Sequence, residues 1–144
     1  MERTGGCACG AVRFKLTAPF LGVGACHCAD CQKASGGGPN YVGLAPPSAV
    51  SVIKGEPRIY RSKADSGAEV GKAFCPECGT PLWSLPAHEP YTPIKLGALD
   101  DNADLSLDMH IYVGSAPRWH VIEDGLPAFP KMPSRSCPKE DEPT

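Results

Sequence analysis

Apolar and polar residues alternate along short segments of this chain, and glycine and proline separate these segments. Val12, Phe14 and Leu16 alternate with Arg13 and Lys15, the period-2 pattern of a strand with one buried face. Similar short segments predict further strands at residues 20–25, 41–44, 50–53, 58–61, 69–74, 80–85, 94–96 and 110–113. The chain is therefore predicted to be mainly β.

Only one segment favours a helix. Residues 28–34 have helix-forming composition, and the run from Ser35 through three glycines to Pro39 ends it. Cys28 and Cys31 lie three positions apart, so they would share one face of this helix. Sixteen glycines and sixteen prolines in 144 residues also favour short strands and turns over long helices. We expect short antiparallel strands in several sheets with one short helix.

The length of the chain predicts one domain, which we place at residues 1–130. Residues 131–144 are mostly proline, serine and charged residues, so we predict a flexible C-terminal tail there. Cys137 lies in this tail and is expected to be a free thiol without a function.

Charge and hydropathy limit the classes of binding partner that we expect for this chain. A net charge of −2 provides no basic surface for nucleic acid or for an anionic membrane. No run of about 18 apolar residues is present, so no membrane span is predicted. The first residues carry no apolar export signal, which predicts a cytoplasmic location. The oligomeric state is left open.

The chain contains eight cysteines. In a reducing cytoplasm, closely paired cysteines are more often metal ligands than disulfides. Disulfides remain an alternative, although the Cys7/Cys9 and Cys26/Cys28 pairs are poorly spaced to bridge without strain.

Four of the cysteines form two pairs with ligand spacing, Cys7/Cys9 and Cys75/Cys78. The second pair would lie at the tip of a hairpin, where Gly79 can adopt a positive φ and let backbone amides face a thiolate. Four thiolates around Zn²⁺ form a closed structural site. A thioredoxin-like redox motif is the alternative, but the strand–helix context that it needs is missing here.

Cys26, Cys28 and Cys31 form a second set with three ligands. Catalytic zinc commonly has three protein ligands and an open position for water or substrate. His27 could complete the set and close it, but as the residue between two ligands on an extended segment it should point the other way. A second structural zinc, with Asp30, His88 or His110 as its fourth ligand, is the alternative.

Lys33 and Ser35 follow the three cysteines and could bind the carboxylates of an anionic substrate. The other interpretation is a solvated lysine and a simple turn.

Three motifs carry a resemblance to a known family. They are GCACGAVRF at 6–14, CHCADCQKASGG at 26–37 and FCPECGTPL at 74–82, with weaker matches at 97–101, at 110–113 and at Trp119. Together they resemble the glutathione-dependent formaldehyde-activating enzyme family, which includes centromere protein V-like members.

This resemblance implies a β-tent fold and two zinc ions. The outer cysteine pairs would hold a structural zinc, and the middle triplet would hold a labile catalytic zinc. The implied reaction joins glutathione and formaldehyde to give S-hydroxymethylglutathione, which is carbon–sulfur lyase chemistry. Two other functions stay open: zinc-dependent hydrolysis of an imine or another electrophile, and a non-catalytic zinc-stabilised binding module.

Overall fold

The structure is a computed structural model that describes residues 2–64 and 66–133. The chain forms two compact units. The first unit comprises the chain up to Gly22 together with Val42–Leu105, and the second comprises Val23–Tyr41 together with the chain from Ser106 onward. The single domain at residues 1–130 stays a prediction. Cys137 and most of the predicted tail, residues 134–144, lie outside the described residues.

Short strands dominate the described part of the chain. The strands are β1 (Arg3–Gly6), β2 (Arg13–Leu16), β3 (Gly22–Cys26), β4 (Asn40–Ala45), β5 (Val50–Lys54), β6 (Arg58–Lys63), β7 (Glu69–Phe74), β8 (Pro81–Pro86), β9 (Thr92–Lys95) and β10 (Met109–Ile111). The single α-helix in these residues is α1 (Ala29–Ser35), and short 3-10 turns occupy Pro47–Ala49, Leu96–Ala98 and Val113–Ser115. The predicted mainly β fold with one short helix is confirmed. Within the described ranges, no helix is long and apolar enough to cross a membrane.

In the first unit, β1, β2 and β5 form an antiparallel sheet in that order. The strands β4, β9, β8, β7 and β6 are hydrogen-bonded in that order and are also antiparallel. The β7–β8 pair is the predicted hairpin, with Lys72 opposite Ser84.

In the second unit, β3 and β10 pair in parallel, with Ala25 opposite His110. This pair departs from the antiparallel expectation. A parallel pair needs a long connection between its strands, and more than 80 residues separate β3 from β10.

Three elements differ from the sequence prediction in detail. β1 has the sequence RTGG and no alternation of apolar residues, yet it is a strand because its backbone pairs with β2. Leu96 and Val113 were predicted at strand ends and instead begin 3-10 turns.

The core of the first unit lies between its strands. Phe14 and Leu82 are completely buried, and the Phe14 ring meets the ring of Trp83 edge-on with centroids 5.3 Å apart. Cys7 and Cys75 belong to the same buried cluster. The core therefore reaches the loops that carry the first cysteine pair and the hairpin tip.

A surface network fixes the segment after the Leu96–Ala98 turn to β1 and β2. Arg13 donates two hydrogen bonds to the Asp100 carboxylate, at 2.9 and 2.5 Å. The Thr4 hydroxyl donates a third at 2.6 Å. The hydrogen bonds from Arg13 and then Thr4 lower the pKa of Asp100 to about 2. These contacts give the Asp100 carboxylate a structural role in the first unit.

Candidate metal centres

The two outer cysteine pairs meet at one place in the first unit. Cys7 and Cys9 lie in the loop after β1, and Cys75 and Cys78 lie at the tip of the β7–β8 hairpin. The four Sγ atoms all lie within 4.8 Å of one another. We call this group the four-thiol site.

The sulfur spacing of the four-thiol site fits a tetrahedral metal ion. The Sγ atoms of Cys7 and Cys9 are 3.6 Å apart, and those of Cys9 and Cys75 are 3.8 Å apart. Four sulfurs at about 2.3 Å from one ion, the distance found with zinc, lie about 3.8 Å apart. This donor set can therefore hold a metal ion without rearrangement of the chain.

Backbone amides surround the two buried sulfurs of this site. The amide of Val12 donates to the Cys7 sulfur at 3.2 Å. The amides of Glu77 and Cys78 donate to the Cys75 sulfur at 3.3 and 3.4 Å. Gly79 has a φ of 80° and so permits the tight turn that aims these amides, as predicted. Amide donors stabilise a thiolate, which is the form that binds metal.

Thr80 connects the two halves of the four-thiol site. Its hydroxyl oxygen accepts from the amide of Ala8 at 3.0 Å and lies 3.1 Å from the Cys78 sulfur. The hydrogen bond from the Thr80 hydroxyl lowers the pKa of the Cys78 thiol to about 5. This lowered pKa favours the thiolate form of Cys78, which solvent exposure of the side chain also stabilises.

Cys26, Cys28 and Cys31 converge in the second unit, with their Sγ atoms within 4.8 Å of one another. We call this group the three-thiol site. Cys26 is the last residue of β3, Cys28 is the N-cap of α1, and Cys31 lies in the first turn of that helix. The amide of Cys31 donates to the Cys28 sulfur at 3.3 Å. A strand end and a helix start thus place three half-buried sulfurs together.

Proton sharing among these three sulfurs favours one thiolate. Hydrogen bonding from Cys26 and then Cys31 lowers the pKa of the Cys28 thiol to about 2. Hydrogen bonding to Cys28 is the main cause that raises the pKa of Cys26. Only the Cys28 thiol is thus prepared to release its proton, since the pKa of Cys31 is also raised. A bound cation would favour loss of the proton from the other two.

The three-thiol group contains only cysteines among the residues that the structure describes. Asp30 and His110, which the sequence allowed as fourth ligands, are not members of it, and His88 lies in the other unit. His27 lies between two of the cysteines and is also not a member. Its side chain is fully buried and continues the alternation of Val23 and Ala25, which are buried on β3. His27 therefore points to the opposite side of the extended backbone from Cys26.

The sequence did not reveal a chain of hydrogen bonds behind this site. The His27 Nε2 atom lies 2.9 Å from His110 Nδ1. The His110 Nε2 atom in turn lies 2.7 Å from the Asp124 carboxylate. The buried middle position of β10 could have indicated His110, but no sequence pattern marks Asp124.

Gln32 follows the cysteines on α1, together with Lys33 and Ser35, which were singled out from sequence. Gln32 donates from its side-chain amide to the carbonyls of His27 and Ser115, each at 2.8 Å. Ser35 donates to the Gly38 carbonyl at 2.5 Å, inside the glycine turn. The Lys33 side chain is exposed in the last turn of α1. The roles of Lys33 and Ser35 in substrate binding stay predictions.

Comparison with known proteins decides the family. The family model described as glutathione-dependent formaldehyde-activating enzyme matches residues 2–115. The chain belongs to this family. The matched segment contains both the four-thiol and the three-thiol sites, so the resemblance inferred from the motifs is confirmed.

Individual relatives agree with this assignment. A protein of Halomonas elongata named "Putative glutathione-dependent formaldehyde-activating enzyme" is 29% identical over 128 residues, which cover 83% of this chain and 80% of the relative. A protein of Emericella nidulans with the same name is 34% identical over 77 residues, which cover 54% of this chain and 38% of the relative. A crystal structure of a Rhodobacter sphaeroides protein matches with a TM-score of 0.56 and 21% identity, over 70% of this chain and 91% of that one. This structural match shows that the two proteins share a fold.

Proposed function

We propose that this protein is a zinc-dependent carbon–sulfur lyase-type enzyme that acts on the adduct of a small thiol with formaldehyde. Glutathione, the thiol in the family's description, is the proposed substrate. The observation that carries the proposal is the unequal size of the two cysteine groups, with four thiols in one and three in the other. The larger group provides a complete ligand set for a structural ion, whereas the smaller group lacks one ligand.

Zinc is the proposed metal in both groups. Each group offers only thiol sulfur among the described residues, and sets of clustered thiolates are typical ligands of zinc. Bound at the three-thiol site, Zn²⁺ would supply an open coordination position that lowers the pKa of an incoming thiol.

The proposed reaction is balanced without an oxidant or reductant. A carbon–sulfur bond forms between the thiol sulfur and the formaldehyde carbon, and the thiol proton finishes on the former carbonyl oxygen. The reverse direction breaks the same bond and releases thiol and formaldehyde.

Residues around the three-thiol site position the helix α1 and the substrate. Gln32 joins the His27 carbonyl to the Ser115 carbonyl and so fixes α1 beside the end of β3. The Lys33 ammonium is exposed two positions after Cys31, where it can meet a carboxylate of glutathione. We place the enzyme in the cytoplasm, where glutathione is the main soluble thiol, and propose no nucleic-acid or membrane partner.

The test mixes the zinc-loaded protein with glutathione and ¹³C-formaldehyde and follows exchange between free and adduct carbon by NMR. We expect faster exchange than in buffer, and no acceleration by the matched variant Cys31→Ser. A wild-type protein with two zinc ions bound that leaves the exchange rate unchanged would contradict the lyase proposal. If the protein instead consumes an electrophile, such as an imine, in the absence of any thiol, the hydrolase alternative is correct.

A further inference from the structure

Every polar atom of His27 except one has a hydrogen-bond partner. Its backbone amide donates to the Ile111 carbonyl at 3.0 Å. Its carbonyl accepts from the Gln32 side chain at 2.8 Å, and its Nε2 atom lies 2.9 Å from His110 Nδ1. The side chain has no solvent exposure. The position of this residue is therefore fixed from three directions.

The direction of each hydrogen bond follows from Asp124, the last group of the hydrogen-bond relay. The hydrogen bond from His110 lowers the pKa of Asp124, so its carboxylate is ionised and only accepts. His110 therefore donates from Nε2, and in a tautomer with a single ring proton its Nδ1 atom accepts. His27 must then donate from Nε2, which leaves its Nδ1 atom unprotonated.

The unprotonated Nδ1 atom of His27 is buried and has no hydrogen-bond partner among the described residues. A buried acceptor without a partner costs about 1–3 kcal/mol. An apolar side chain would fill the same space without that cost, so packing alone does not account for a histidine here. The His120 ring, with its centroid 5.2 Å from that of His27, lies beside it without a hydrogen bond between the two rings.

We propose that His27 is a positioning residue, and that the hydrogen-bond chain Asp124–His110–His27 holds the backbone between Cys26 and Cys28 so that the three thiols converge. His27 lies on the face opposite the sulfurs, so it acts through the backbone and does not touch a bound ion. The proposal rests on the metal-binding part of the proposed function and does not depend on the substrate.

The hydrogen-bond relay is well placed to hold the backbone between Cys26 and Cys28. Cys26 ends β3 and Cys28 begins α1, so the backbone changes direction at His27. At this junction the amide of His27 still pairs with the Ile111 carbonyl, and the side-chain relay to His110 adds a second connection to the same part of the chain. Partners that hydrogen-bond directly to metal ligands typically change metal affinity 10–100-fold when mutated, so we expect the lower end of that range for a relay that acts through the backbone.

The experiment compares the full chain, loaded with both metals, with Asp124→Ala and with Glu123→Ala as a matched control. Glu123 is the neighbouring exposed carboxylate, and it has no place in the relay. Chelator competition measures the affinity of the exchangeable metal. We expect about tenfold weaker binding in Asp124→Ala, no change in Glu123→Ala, and an intermediate loss in Asp124→Asn, which keeps one acceptor oxygen.

A second measurement reports on the relay directly. ¹⁵N NMR of the wild type should show His27 unprotonated at Nδ1 and protonated at Nε2, and Asp124→Ala should mix the two tautomers. The proposal is overturned if the wild type carries the proton at Nδ1, or if Asp124→Ala and Glu123→Ala hold the exchangeable metal equally well. Equal loss of both metals together with a lower unfolding midpoint would also overturn it, because that result indicates general destabilisation. A weakened exchangeable metal in a protein without lyase activity would support the relay and reject only the proposed reaction.

Discussion

The Sγ atoms of Cys9 and Cys75 lie 3.8 Å apart although the two residues are 66 positions apart in the sequence. Cys9 belongs to the loop between β1 and β2, and Cys75 belongs to the tip of the β7–β8 hairpin. An ion at the four-thiol site would therefore close a long loop. Because such a site does not exist in the unfolded chain, metal binding there contributes directly to folding.

The first prediction concerns the two metal groups. Cys78→Ser should remove the structural metal and leave the protein unfolded or insoluble, because the first unit loses the connection between its β1–β2 loop and the hairpin. Circular dichroism and the zinc content per chain measure the outcome.

The matched control for that variant is Cys31→Ser in the three-thiol site. This variant should keep the secondary structure and lose one zinc ion per chain, since α1 has no buried residues and the first unit is unchanged. A Cys78→Ser protein that folds normally without metal would show that the four-thiol site has no structural role.

The second prediction concerns substrate binding by Lys33. Lys33→Ala should raise KM for glutathione about fivefold and leave kcat unchanged, because an exposed charge pair contributes about 1 kcal/mol or less. Steady-state kinetics with glutathione and with a thiol that lacks carboxylates test whether the effect of Lys33→Ala depends on the substrate carboxylates. Lys54→Ala, another exposed lysine, is the control. An equal effect on both thiols would argue against a contact with carboxylate.

The third prediction concerns the turn after α1. Gly37 has a φ of 135°, and a Cβ atom added there would lie 3.1 Å from Cη2 of Trp119. Gly37→Ala should therefore lower the free energy of unfolding by about 1–3 kcal/mol. The neighbouring Gly38 has open space around it and no positive φ, so Gly38→Ala should stay within about 0.5 kcal/mol. Urea denaturation of both variants checks this difference, and equal midpoints would contradict it.

The fourth prediction concerns the core of the first unit. Phe14 is completely buried against Trp83, so Phe14→Ala should lower the free energy of unfolding by about 3–5 kcal/mol. Tyr60 is 61% exposed on β6, and Tyr60→Ala should change it by no more than about 0.5 kcal/mol. Thermal and urea unfolding at fixed metal content give both values. A similar loss in the two variants would show that the core is not centred on Phe14.

Most of the strands could be predicted because their signals are local. The alternation in β2 and the boundaries of β7 are visible in the order of residues alone, and the glycine-rich stop after Ser35 predicted the end of α1. β1 could not be predicted in this way, since Arg3–Gly6 becomes a strand through its pairing with β2. The parallel pairing of β3 with β10 was missed for the same reason, because long-range pairing leaves no mark on either segment.

The sequence by itself determined which residues can hold a metal ion. Short cysteine spacing confines the ligands of each half-site to one turn, so Cys26, Cys28 and Cys31 could be assigned to one group from their order alone. The family resemblance had already grouped Cys7 and Cys9 with Cys75 and Cys78, and the tertiary structure brings them together. Only the tertiary structure decided that His27 connects through His110 to Asp124. These relationships depend on distances between residues far apart in the chain, and such distances are set by strand pairing and core packing.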